Sequence, residues 1–187
     1  SAAHTLERAL DADPDHPDVL KELADVYLAQ GDYPRCCKLK VDMARNATSA
    51  DGRFQLLCDA GEIWARRAEE LDKAASVFEE ARLIKPHDHW LLHTLMWLYG
   101  ERHRWDDLSN VLEGIAQIQE SPEKKAKSFF AMAQVVLEKV GDLVRAAELF
   151  DQVLDIDKKR LDAFEQLVRA LTEAKDWEGL EVSYRRM

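Results

Sequence analysis

The segment LDKAASVFEEARLIKP, Leu71 to Pro86, constrains the fold more than any other stretch of the chain. Ala74, Phe78 and Ala81 fall four and three residues apart, which stacks them on one face of an α-helix. Pro86 closes the segment, because proline lacks the N–H that a helix needs and its ring clashes with the preceding turn. A small, large, small face describes a helix pressed closely against a neighbour, with one aromatic ring filling the gap. The spacing returns at Ala2, Leu6, Ala9 and Pro14, and again at Ala146, Phe150 and Val153, where a lysine stands in place of the proline. Recurrence at this scale means a repeat array rather than one irregular core.

A second pattern runs between these segments. Leu20, Leu23, Ala24 and Tyr27 share a face until Gly31-Asp32 breaks the helix, and Pro34 suits the first turn of the next one, which carries Cys36, Leu39 and Met43. Helix, short turn, helix, short turn is the unit. Leu57, Ala60, Gly61 and Trp64 lead into Ala74, Phe78 and Ala81; Leu92, Leu95, Met96 and Tyr99 lead into Leu108, Leu112 and Ile115. Phe130, Ala133, Gln134 and Leu137 pass through Gly141-Asp142 into Ala146, Phe150 and Val153. Phe164, Leu167, Val168 and Leu171 lead through Lys175-Asp176-Trp177 into Leu180, Tyr184 and Met187. With 7 Gly and 5 Pro in 187 residues, a turn-rich β fold is disfavoured.

These positions resemble the tetratricopeptide repeat, a helix–turn–helix of about 34 residues with the pattern W-x2-L-G-x2-Y…A-x3-F…P. Unit starts at Pro17, Phe54, His89, Lys127 and Leu161 are 37, 35, 38 and 34 residues apart. The departures are assigned to turns at Asn46–Gly52, Ala68–Leu71 and Ser121–Lys125. The expected organisation is a half repeat at 1–14, repeats at 17–53, 54–88, 89–126 and 127–160, and an incomplete repeat at 161–187. Ala2–Asp13 and Trp177–Met187 show no obvious polar outer face, so the chain is expected to be a segment of a longer array. The first unit departs most from the pattern, since Lys40 stands where an aromatic would be buried and Leu39 or Met43 would have to replace it. The resemblance implies an all-α, right-handed superhelical solenoid of roughly eleven helices in antiparallel pairs, each pair burying its apolar stripe against the next.

The resemblance also implies a function, non-catalytic protein–protein interaction, with a peptide or partner helix held in a concave groove lined by the first helices of the units. Family groove positions carried onto this sequence fall at Trp90, His93 and Trp97, and at Asp18, Lys21, Asp25, Gln55, Cys58, Glu62, Ser128, Ala131, Val135, Asp162, Glu165 and Arg169. Chaperone-binding members grip a peptide's C-terminal carboxylates with a Lys, two Asn, a Lys and an Arg. Lys21 matches one such site, but Asp25, Asp59, Trp90 and Thr94 occupy the others, and two carboxylates would repel an acidic tail. The asparagine ladder of the family's glycosyltransferases is replaced by Glu22, Asp59, Thr94, Met132 and Gln166. Two other roles fit the pattern: a structural spacer or oligomerisation segment, self-associating through its ends, and a regulatory array serving a catalytic domain elsewhere.

Charge and motif content narrow the classes further. Lys plus Arg number 26 against 36 Asp plus Glu, and the net charge of −10 opposes phosphate-neutralising contact with nucleic acid. The basic clusters Lys124, Lys125, Lys127 and Lys158, Lys159, Arg160 read as solvated surface. No phosphate loop, nucleophile elbow, H-E-x-x-H or C-x-x-C is present, so no catalytic residue and no cofactor is assigned. His89 and His93 share a helix face behind His87 and Asp88, but a tetrahedral metal site needs more ligands, and Asp88 reads as a helix cap. Cys36, Cys37 and Cys58 have no ligand spacing or disulfide framework, which points to a reducing, cytoplasmic setting. No apolar run reaches membrane-spanning length.

Overall fold

A computed structural model describes residues 2–186. Ser1 and Met187, at the ends of the first and last expected units, lie outside the described residues. The described residues form eleven α-helices: α1 (Ala2–Ala12), α2 (Pro17–Ala29), α3 (Tyr33–Asn46), α4 (Ala50–Arg66), α5 (Leu71–Ile84), α6 (His89–Glu101), α7 (Trp105–Ile118), α8 (Pro122–Val135), α9 (Leu143–Ile156), α10 (Leu161–Glu173) and α11 (Trp177–Arg186). The fold is all-α and built of helix pairs, and α8 continues into a π-helical turn, Val136–Val140. The chain divides into two compact units, Ser1–Leu91 and Leu92–Met187.

One turn recurs within every pair. The residue ahead of the second helix is left-handed at Gly31, Glu69, His103, Gly141 and Lys175, with φ between 53° and 80°. The next N–H then reaches back to the end of the first helix: Asp32 to the Tyr27 carbonyl at 2.9 Å, Arg104 to Tyr99 at 3.0 Å, Asp176 to Leu171 at 2.9 Å. This satisfies a carbonyl that the helix end leaves open. Asp32, Asp142 and Asp176 turn the same residue into a cap, each accepting an N–H three residues on, from Arg35, Arg145 and Gly179. Glycine is needed here only for its backbone, since a Cβ on Gly31 or Gly141 would meet nothing within 4 Å. Substituting either by alanine is therefore expected to lower stability by about 1 kcal/mol, and His103→Gly or Lys175→Gly to raise it by up to that amount. Thermal unfolding of the four single variants checks both signs.

The left-handed residues are 38, 34, 38 and 34 apart, so every second unit carries four extra residues. They enter as helix. α2, α6 and α10 have 13 residues, whereas α4 has 17 and α8 has 14 plus the five of its π turn. Ser49 starts α4 early, its Oγ accepting the Gly52 N–H at 3.0 Å, and Pro122 after Ser121 starts α8 early. The boundaries expected at 54 and 127 thus lie inside helices, and residues 50–52 and 122–125 are not the turns read from the sequence. The added first turn of α4 is tied down by Lys85, which meets Asp51 at 2.7 Å and lies 4.7 Å from the Phe54 ring centroid. Arg160 likewise stacks over the ring of Phe130, farther along α8, at 4.7 Å.

In the first unit each helix packs on the next, α1 through α5. Ala74, Phe78 and Ala81 are fully buried, and Gly61 is the reason the ring fits: a Cβ there would stand 2.7 Å from Cδ1 and Cζ of Phe78 and closer still to Cε1. On α1 the expected Ala2, Leu6, Ala9 face is rotated by one residue. Ala3 is buried and Leu6 and Leu10 pack on Leu23, Ala24 and Tyr27, because positions 3, 6 and 10 form the stripe nearest α2. The Tyr27 hydroxyl donates to Glu7 at 2.5 Å, joining α2 to α1. Beside Lys40, Leu39 is half-buried and packs on the cluster of Leu23, Ala24 and Tyr27, while Cys36 and Cys37 are fully buried on α3. Lys40 buries its stem and extends Nζ to Asp59 at 3.5 Å.

The second unit repeats the plan from α7 through α11. Ala146, Phe150 and Val153 are fully buried, with Phe130 edge-on to Phe150 at 5.6 Å. Gln134, read as a packing residue, is exposed; Met132 and Val136 are buried with Ala133 and Leu137.

Candidate functional site

Helix α6 begins where Asp88 Oδ1 accepts the Leu91 N–H at 2.9 Å, the cap expected of that aspartate. Its apolar content exceeds what one buried face can hold. Leu91, Leu92, Leu95 and Leu98 are all fully buried and Tyr99 nearly so. Of these, Leu91 and Leu98 are core residues that the repeat pattern does not pick out. The remaining large side chains are left outside: Trp90 is 42% exposed, Trp97 48%, and His93 between them is exposed. Trp90, in the first unit, is partly engaged, with its ring edge-on to Phe78 at a centroid distance of 5.9 Å. His93 and Trp97 belong to the second unit.

The other groove candidates separate into three kinds. Lys21 and Asp25 are exposed on α2, as is Asp18. Gln55, Glu62 and Arg169 hold partners on their own helices: Gln55 donates to Asp59 at 3.0 Å, Arg66 pairs with Glu62 at 3.6 Å, and Arg169 donates to Glu173 at 3.0 Å. Such one-helix pairs are weak, so these side chains are open to exchange partners. Asp162 is gripped by Arg160, whose guanidinium donates at 2.6 and 2.7 Å and holds the carboxyl below its ordinary range. Glu165 is exposed, while Ser128, Ala131 and Val135 are half-buried.

Cys58 is a correction. Only 5% exposed, it is a core residue of α4 and takes no part in a groove surface. The residue is small and apolar, and its helix face turns toward the interior. Burial pushes the Cys58 and Cys37 thiols up to about 12 and raises that of Cys36 as well. All three thiols are free. A thiol with a raised folded pKa stabilises the fold below its unfolded value, and that contribution fades as pH climbs from about 8.5 toward 12. The three thiols are thus expected to resist a disulfide exchange reagent at pH 8 until denaturant opens the chain. Stoichiometric labelling of the native protein within mixing time would contradict this.

Among the described residues no three His, Cys, Asp or Glu side chains gather as metal ligands. No helix among them is long and apolar enough to cross a membrane.

Models of the tetratricopeptide repeat match residues 1–37 and residues 128–164. No curated protein matches the chain. Similar solved structures include a tetratricopeptide repeat protein from Parabacteroides merdae, 17% identical over 90% of this chain and 64% of that one, with a TM-score of 0.47. MamA from Desulfovibrio magneticus RS-1 is 12% identical over 90% of this chain and 91% of its own, at 0.44. YrrB, a TPR protein with an unusual peptide-binding site, is 15% identical over 97% and 89%, at 0.44. Likeness at these identities extends to neither ligand nor partner.

Proposed function

Because the chain belongs to the tetratricopeptide-repeat family, we propose that it is a non-catalytic protein-interaction module that binds a peptide or partner helix on the outer face of α6. One observation carries this reading: α6 buries four leucines completely yet leaves two tryptophans about half exposed. A helix with spare aromatic surface beyond its core needs has a binding use for it, since indoles supply large contact area and one hydrogen-bond donor. Trp97 and Trp90 are the apolar anchors, with His93 as a polar contact between them. Lys21, Asp25, Gln55 and Glu62 are the polar contacts proposed on the first unit, and Arg169 the one proposed on the second.

The partner is a neutral or basic segment. Exposed Asp18 and Asp25 and the net charge of −10 disfavour acidic tails and nucleic acid. The repeat units are α2–α3, α4–α5, α6–α7, α8–α9 and α10–α11, with α1 a half repeat that packs on α2. A structural spacer is the second reading, and the edge contact of Trp90 on Phe78 favours it, because that indole already has a packing partner.

Selecting displayed random peptides on the purified chain tests the proposal. The expected consensus holds two apolar residues flanked by Lys or Arg, and titration of such a peptide shifts the indole N–H resonances of Trp90 and Trp97 among the five in the chain. Enrichment of acidic C-terminal tails, or shifts confined to other indoles, would contradict it.

A further inference from the structure

α11 is a helix with apolar residues and no core. It carries Trp177, Leu180, Val182 and Tyr184, yet none of its residues is buried. Two latches hold it down. Asp176 caps its start through the Gly179 N–H, and Arg186 near its end pairs with Asp151 and Asp155 of α9. Tyr184 adds an edge contact to Phe164 at 5.3 Å. Between the latches lies a cavity of about 290 Å³ open to solvent. Leu167 and Leu171 of α10 form its floor; Val144 of α9 and Val182 of α11 stand at its sides, 64% and 59% exposed.

We propose that this groove between α9 and α11, the second helices of their pairs, is a docking site for a basic amphipathic segment of a partner protein. It is separate from the α6 surface and does not depend on it. The volume matches a few aliphatic side chains, too small for a cofactor and large enough for the apolar anchors of a short helix. The charge around it selects the occupant's sign. Glu148, Asp151 and Asp176 line the cavity against a single base, Arg186, and Arg186 is already committed to Asp151 and Asp155. Asp176 is exposed but engages its capping bond through Oδ1, and Glu148 is the exposed carboxylate of the lining with no such cap to make. Lysine or arginine flanking an apolar anchor finds complementary charge there, whereas an acidic segment is repelled.

The test uses a labelled 14-residue helical peptide with leucines on one face and lysines on the other, and a counterpart with every lysine replaced by glutamate. Fluorescence anisotropy should show saturable binding of the lysine peptide alone. The Val144→Asn/Val182→Asn double variant should bind at least tenfold more weakly. Both valines are exposed, so their loss spares the fold, and unchanged melting verifies this. Glu148→Gln should weaken binding about threefold and flatten its salt dependence. Leu83→Asn, at an exposed leucine of the first unit, should change nothing. Equal binding of both peptides, or binding that ignores the valine substitutions, overturns the proposal. So does a concentration-dependent dimer that the double variant abolishes, since that outcome assigns the groove to a second copy of the chain.

Discussion

Phe78→Ala is expected to cost about 3–5 kcal/mol, much of the stability of a typical domain of about 5–15 kcal/mol. The ring is fully buried, touches Trp90 edge-on and lies directly against the backbone of Gly61, so its removal leaves a void that rigid helices cannot close. Gly61→Ala is the complementary experiment because two rules predict opposite signs. By helix propensity alone alanine should stabilise the middle of α4 by about 1 kcal/mol. By packing it should destabilise by about 1–3 kcal/mol, since the new methyl would overlap the Phe78 ring. Packing is expected to win, as the ring has no free space to retreat into. In a Phe78→Leu background the overlap is relieved and Gly61→Ala should become far less harmful. Chemical denaturation of the three variants measures this coupling; an additive result would mean that the two helices are not in the register described.

The helix pairs were legible in the sequence wherever a local rule acted alone. Gly31-Asp32, Gly141-Asp142 and Lys175-Asp176 were read as the breaks between paired helices, and all three are turns in the structure; their aspartate caps and the left-handed Lys175 were not read. The buried Ala74, Phe78, Ala81 and Ala146, Phe150, Val153 faces followed from periodicity. Where two signals competed, the less familiar one was overlooked. Ser49 and the Ser121-Pro122 pair are helix-start signals, but both fall in stretches that the 34-residue template assigns to loops, so the extra turns of α4 and α8 were read as insertions. The π turn at Val136–Val140 has no compositional mark, and on α8 itself Met132 is buried where Gln134 was expected to pack.

The site was legible in a different degree. A template places a position on a helix face, but exposure depends on which neighbouring helix covers it, and that is tertiary information. Trp90, His93 and Trp97 were surplus to the packing positions of α6, and all three are exposed. Cys58 was assigned to the same kind of position and is buried, because small apolar residues fill gaps that a larger polar side chain could not. The groove between α9 and α11 gave no signal in the sequence, since Val144 and Val182 satisfy the ordinary helical pattern.

Trp97→Ala is expected to remove about 2 kcal/mol or more of partner binding, roughly 30-fold, while lowering stability by no more than about 1 kcal/mol. The separation follows from its position, with half the indole in solvent and the buried leucines of α6 untouched. Trp90→Ala should behave as a mixture, losing binding and also the edge contact with Phe78, worth about 0.5–1.5 kcal/mol. The two variants therefore distinguish an anchor from a packing residue on one helix. The most direct measurement is the affinity of a selected basic peptide for the parent chain and for Trp97→Ala, each with its thermal midpoint. A protein-interaction surface on α6 predicts that affinity collapses while the midpoint stays within a few degrees of the parent. A variant that binds as tightly as the parent, or one that loses binding only because it no longer folds, contradicts that account and leaves α6 a scaffold helix.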